Sequence, residues 1–254
     1  MGKETHIGWT DKTWNAWQSC TRISEGCAFC YMFRDKERYG QNPELVVRSK
    51  DATFNRPLHW KEPSKIFTNS WSDVFHKDAE KWLPDFWDII RKCPQHSFQI
   101  LTKRTDRILQ SLPPDWGDGW DNVWMGVSVE NQKRADERIP ILLDVPAKIK
   151  FLSCEPLLGE LDLRKYLKGL HWNIIGGESG NGIKPKDPNV KYGYRECKLE
   201  WIEDIVRQSK EAKIPIFVKQ LGTHLSKTIG LKDRTGSDIN EFNKNIKFQE
   251  FPNV

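Results

Sequence analysis

Seven short apolar runs punctuate the chain, each followed by polar residues: WNAWQSC (14–20), SKIFTNSW (64–71), HSFQILT (96–102), NVWMGVSV (122–129), AKIKFLSC (147–154), HWNIIGG (171–177) and PIFVKQLG (215–222). Each has the length of a buried strand. Between some of them apolar residues recur on one helical face. In 80–93, Trp82, Phe86, Ile89 and Ile90 share such a face. Residues 131–143 and 198–212 read the same way, with Pro140 expected to end or kink the first. Strands alternating with helices predict parallel βαβ units. Six or seven such units predict an α/β chain folded as a full or partial (βα) TIM-like barrel, for which 254 residues suffice.

In barrels of this kind the chemistry sits at the C-terminal ends of the strands. The residues found there are the cysteines at 20, 27 and 30; Ser70, Ser72 and Asp73; Lys103 and Arg104; Ser128 and Glu130; Cys154 and Glu155; Gly177 and Glu178; Lys219 and Gln220. A structural rim has no need of polar groups at so many strand ends, so the ring predicts a site. From Thr223 the pattern changes. Residues 231–242 carry a Gly-Ser turn and read as a hairpin or loop pair capping the barrel. The expected division is a barrel domain over 1–222 and an extension over 223–254.

Composition adds limits. With 37% hydrophobic and 30% charged residues the chain is globular, not disordered. No apolar run is long enough to span a bilayer. The opening MGKETH has neither an apolar signal core nor the Ser or Thr of a myristoylation site. A cytoplasmic location without membrane association is therefore expected, where clustered cysteines mean metal or redox chemistry. The net charge of +5 permits a nucleic-acid partner without requiring one. Twelve tryptophans point first to packing, with base or adenine stacking as a second use.

Three of six cysteines fall in SCTRISEGCAFCY, at Cys20, Cys27 and Cys30. Structural zinc wants four ligands. Only one C-x2-C pair is present, and His6, His59 or His76 would reach it only through folding. A cubane iron–sulfur cluster is normally held by four thiolates, so three leave one iron open to a substrate or cofactor.

Cys27-Ala28-Phe29-Cys30 matches the second half of the radical S-adenosylmethionine (SAM) signature, usually C-x3-C-x-aromatic-C, although the first spacer here is six residues. The strand ends resemble those of spore photoproduct lyase and its relatives. There a serine after the second strand, a lysine after the third and a serine after the fourth help hold SAM. The corresponding residues are Ser70 or Ser72, Lys103 and Ser128. The lyase's hydrogen-donating cysteine has no counterpart beside Ser70, where Asn69 and Trp71 stand, so thymine-dimer repair is not expected. From Ile7 to Gly222 the chain is similar to a phage-associated radical-SAM-like family, through GWTDKTWNAW, SWSDVF, LTKR, GVSVE, FLSCEPLLG, GGESG and KQLG.

The resemblance implies a radical SAM partial barrel with a [4Fe–4S] cluster on Cys20, Cys27 and Cys30. It implies SAM as cofactor or cosubstrate, cleaved reductively to a 5′-deoxyadenosyl radical that abstracts hydrogen from a substrate. Phe29 would lie on the adenine side, with Ser70, Ser72, Asp73, Lys103, Ser128 and Glu130 around the cofactor. Some radical SAM enzymes use Gly-Gly-Glu for the methionyl amine, but after the second strand. Here it follows the sixth run, so Asp73 is the better candidate. Cys154 is a candidate hydrogen donor, and Glu155 and Glu178 candidate substrate or proton-relay groups. Each of Glu130, Glu155 and Glu178 reads equally as a buried carboxylate paired with a rim Arg or Lys. Lys103 reads also as a rim ion pair, and Cys93 and Cys197 as structural. The partners implied are a reductant such as flavodoxin or ferredoxin and, as substrate, a nucleic acid or nucleotide. Two rival readings are a cluster- or zinc-stabilised nucleic-acid-binding protein and a SAM-binding cluster enzyme with non-radical chemistry.

Overall fold

The structure is a computed structural model and describes residues 5–180 and 193–253. The opening Met-Gly considered above for lipidation lies outside them. Among the described residues nine strands occur in chain order: β1 (Lys12–Trp14), β2 (Trp17–Gln18), β3 (Val47–Arg48), β4 (Lys65–Thr68), β5 (Ser97–Thr102), β6 (Val123–Ser128), β7 (Ile149–Cys154), β8 (Trp172–Gly176) and β9 (Ile216–Gln220). The α-helices are α1 (Tyr31–Arg38), α2 (Asp51–Phe54), α3 (Leu83–Arg91), α4 (Gln132–Asp144), α5 (Leu199–Glu211) and α6 (Gly222–Ile229). The main sheet runs β1-β4-β5-β6-β7-β8-β9, and β2 pairs antiparallel with β3 beside it. Strands that follow one another across a parallel sheet have barrel order; a doubly wound sheet reverses at a switch point. The expected α/β partial-barrel class therefore holds, with seven strands in the sheet.

The chain forms two compact units. One comprises Met1–Ile23, Cys30–Val127 and Ile141–Lys150. In it β1, β4, β5 and β6 pair in parallel. Every residue of β6 is buried, as expected where both faces of a parallel strand are covered. Helix α3 turns Leu83, Phe86, Trp87, Ile89 and Ile90 inward. There Trp14 stacks on Phe86 at 4.9 Å with near-parallel rings, and Trp87 meets Trp116 at 5.5 Å. The tryptophans at 9, 14, 17, 116 and 124 are buried, which fits the packing reading.

The second unit comprises Ser24–Phe29, Ser128–Pro140 and Phe151–Val254. Here β7, β8 and β9 pair in parallel. Trp172 gathers Phe151, Phe217 and Phe251 around it.

One expectation changes, and two others are narrowed. The first apolar run is not one strand. Its sheet strand ends at Trp14, and Asn69 takes the amides of Ala16 and Trp17 on its side-chain oxygen, bending the chain into β2. Pro140 does not end its helix, which continues to Asp144. In the tail, 231–242 takes the loop form of the two expected. Gly236 turns it at φ +61°, and Asp233 accepts the amides of Thr235 and Ser237. Beyond it Gln249 bridges antiparallel to Phe217, extending the sheet edge.

Candidate functional site

The polar groups expected at strand ends do lie there, and each unit holds its own network. In the first, Asp73 is the hub. One carboxylate oxygen accepts from the Thr102 hydroxyl at 2.7 Å and the Phe75 amide at 3.0 Å; the other accepts the Lys103 amide at 3.1 Å. The Thr102 hydroxyl oxygen in turn accepts the Arg104 amide at 2.8 Å. Asp73 thus ties the ends of β4 and β5 together. Its donors come from the protein itself, so it organises the rim more directly than it reaches outward.

Arg104 leaves that rim toward the first cysteine. One guanidinium nitrogen donates to the Thr21 hydroxyl at 2.7 Å and the Thr21 carbonyl at 3.0 Å, and lies 3.7 Å from the Cys20 sulfur. His76 closes the chain through Thr21 Oγ1 at 3.2 Å, while its Nδ1 accepts the Asp78 amide. Burial, and then the Arg104 charge, push its pKa below the ordinary histidine value. Ser70 hydrogen-bonds Asn15 at 3.2 Å, Ser72 donates to the Ser19 carbonyl at 2.5 Å, and Tyr31 donates to the Ser70 carbonyl. Cys30 is the N-cap residue of α1.

The second network surrounds the turn Ser24–Phe29, which carries Cys27. Glu130 is completely buried. Its Oε1 accepts the Ser24 hydroxyl at 2.8 Å and its Oε2 pairs with Arg138 at 2.8 Å, a guanidinium that also donates to the Ser128 carbonyl. Gly26 lies flat against this carboxylate; a Cβ there would overlap it. The Glu25 carboxylate is held by two nitrogens of Arg134, at 2.7 and 3.1 Å, and by Asn131. The Arg134 hydrogen bonds hold its pKa down to about 2. Arg195 donates to the Glu25 carbonyl at 2.8 Å and lies over the Phe29 ring at 5.2 Å. Glu178 aims it, accepting two guanidinium nitrogens at 2.5 and 2.9 Å and the Arg195 amide at 2.8 Å.

The carboxylates singled out from the sequence are therefore paired. Glu130 meets Arg138, Glu178 meets Arg195, and Glu155 meets Lys219 at 2.5 Å. In Gly-Gly-Glu, Gly177 passes so close to the Leu221 carbonyl that a Cβ would overlap it, which accounts for that glycine by packing. Cys154 ends β7 fully enclosed, its thiol pushed well up by burial and then by the charge of Glu130. Sequence reasoning missed Glu25, Arg134, Arg138 and Arg195, and it gave Arg104 no role. The signal in their case is contact over long separations, 109 residues for Arg134 with Glu25 and 170 for Arg195 with Glu25.

Among the described residues no three His, Cys, Asp or Glu side chains are gathered as ligands for a metal ion. The donor chemistry of the cysteine loop nevertheless fits a thiolate-seeking metal. Cys20, Cys27 and Cys30 are half-buried, whereas Cys93, Cys154 and Cys197 are buried. An arginine faces the Cys20 sulfur, and the Ser24 hydroxyl lies 3.8 Å from that of Cys27. Positive charge and hydroxyl donors beside sulfur favour a thiolate ligand.

The chain belongs to the family described as protein of unknown function (DUF5131), whose model matches residues 4–251. No curated protein matches it. Among solved structures it is similar to a mutant spore photoproduct lyase with bound AdoMet and a dinucleoside spore photoproduct, at 11% identity and a TM-score of 0.40. That match covers 77% of this chain and 51% of the other, so the chain spans about half the length of that protein. Among the described residues no helix is long and apolar enough to cross a membrane.

Proposed function

We propose that the chain is a radical SAM enzyme whose Cys20, Cys27 and Cys30 hold a [4Fe–4S] cluster and which takes S-adenosylmethionine as cofactor or cosubstrate. The observation that carries this reading is the partition of the cysteines. The three of the signature-like stretch, of which Cys27 and Cys30 keep the signature's spacing, are the half-buried ones, on a loop that arginines hold at Thr21 and at Glu25. When bound, a cluster with an open iron supplies reductive cleavage of SAM to a hydrogen-abstracting radical.

The chain's own residues position and exclude. Arg104 places positive charge beside the Cys20 sulfur, and Glu130 fixes the turn that carries Cys27. Asp73 fixes the backbone at Lys103, whose ammonium is the proposed partner of the methionyl carboxylate. Ser70, Ser72 and Ser128 supply hydroxyls near the cofactor, and Phe29 an aromatic edge toward the adenine. A nucleic acid or nucleotide is the proposed substrate class, resting on the basic balance of +5 and the lyase-like strand ends. A flavodoxin- or ferredoxin-type reductant and a cytoplasmic setting accompany it.

The test is production of 5′-deoxyadenosine by anaerobically reconstituted, dithionite-reduced protein with SAM, quantified by chromatography and mass spectrometry. Production that vanishes when any of the three loop cysteines is replaced supports the reading. Zinc in place of iron, with no cleavage, overturns it in favour of a metal-stabilised binding module.

A further inference from the structure

Protein groups grip the turn Ser24–Phe29 on several sides. The turn makes two backbone hydrogen bonds of its own, Cys27 N–H to the Ser24 carbonyl at 3.0 Å and Ala28 N–H to the Glu25 carbonyl at 3.2 Å. Two short bonds do not fix a six-residue loop against the conformational entropy of its backbone. The outside contacts add what is missing. They reach the side chain of Ser24, the carboxylate and carbonyl of Glu25, the bare face of Gly26 and the ring of Phe29. Cys27 is the one position among the turn's chemistry-bearing residues that none of these grips takes. Its sulfur meets the hydroxyl of Ser24, itself tied to Glu130.

Arg195 is the member whose contacts run beyond its ion pair with a buried carboxylate. It is half-exposed, yet the amide and two guanidinium nitrogens are locked onto one carboxylate, Glu178, which is itself buried. Compensating the buried Glu178 charge explains the ion pair but not the two contacts that Arg195 makes on the turn. Held so, it delivers its remaining nitrogen to the Glu25 carbonyl and its flat face to Phe29. Lysine keeps the charge but has neither the second nitrogen nor the planar face.

We infer that Arg195, aimed by Glu178, is a positioning residue that holds the turn Ser24–Phe29 in one conformation before any metal arrives, so that the backbone carrying the Cys27 thiol is ordered in advance. This rests on the cluster reading for what the thiol receives. The preformed turn itself does not depend on which metal that is.

The experiment uses the full chain, purified metal-free, as wild type, Arg195→Lys, Arg195→Gln and Glu178→Gln, with circular dichroism and thermal unfolding showing that each is folded. Hydrogen–deuterium exchange is read at the amides of Cys27 and Ala28, and iron uptake is then followed during anaerobic reconstitution. Loss of charge-assisted hydrogen bonds predicts exchange faster by roughly tenfold or more in Arg195→Gln. Arg195→Lys should fail to restore protection although it keeps the ion pair with Glu178. Uptake should slow in the same order. Arg195→Lys restoring wild-type exchange and uptake would reduce the residue to a surface charge and overturn the inference. So would fast exchange already in metal-free wild type, or slow exchange in every variant. Slow, Arg195-dependent exchange in a wild type that takes up no iron would keep the preformed turn and sink the cluster reading instead. Should Glu178→Gln not fold, the two Arg195 variants decide the matter alone.

Discussion

The six cysteines divide into two groups that differ in everything but side chain. Cys93, Cys154 and Cys197 are buried, and burial raises their thiol pKa values, that of Cys197 to about 12. These behave as small apolar residues. Cys20, Cys27 and Cys30 are half-buried on a polar loop, with an arginine at one sulfur and a serine hydroxyl at another. The same side chain is inert in one setting and a ligand candidate in the other because only a thiolate binds metal, and only a polar setting stabilises a thiolate. Alkylation of the metal-free protein at neutral pH breaks or sharpens this contrast most strongly. The loop cysteines should react orders of magnitude faster than Cys154 and Cys197, whose modification should need denaturant. Equal rates at all six, measured by mass spectrometry, would erase the distinction.

A second contrast is in the support beneath the loop. Glu130 and Arg138 are a buried pair, and removing one partner leaves an uncompensated buried charge. Glu130→Ala should cost about 3–5 kcal/mol in urea unfolding. Gly26→Ala meets the same carboxylate from above and should cost about 1–3 kcal/mol through overpacking. A Gly26→Ala protein as stable as wild type would mean the turn does not rest on Glu130.

The smallest effect concerns acid. Buried His76 and His96 both have pKa values lowered chiefly by burial. The unfolded chain then takes up protons that the folded chain refuses. Their contribution is complete above the ordinary value of 6.5 and is lost as pH falls below it. Urea stability should decline from pH 7 to pH 5, and His96→Gln should flatten that slope. An unchanged slope would assign the acid sensitivity to other groups.

Much of the sheet was legible because buried parallel strands are continuous apolar runs, and six of the seven runs contain one main-sheet strand. The first was misjudged for a local reason. An asparagine at 69 (φ +53°) captures two amides and bends the chain inside an apolar stretch, which periodicity cannot register. Helix α1 escaped notice because YMFRDKER buries only Met32, Phe33 and Lys36. In the site, Asp73, Glu130 and Glu178 were legible as residues at strand ends, but their partners were not. Arg134, Arg138 and Arg195 have no motif around them; only the fold brings them to the turn or its carboxylates. Hence the sequence pointed to the three thiols and missed most of what holds them.

The measurement that tests the central claim most directly is iron and sulfide per chain after anaerobic reconstitution, with the electron paramagnetic resonance of the reduced protein, for Cys27→Ala beside Cys93→Ala. The account predicts that Cys27→Ala loses the cluster and its signal while Cys93→Ala keeps both. Full iron and an unchanged signal in both variants would contradict it, and with it the division of the cysteines into ligands and core.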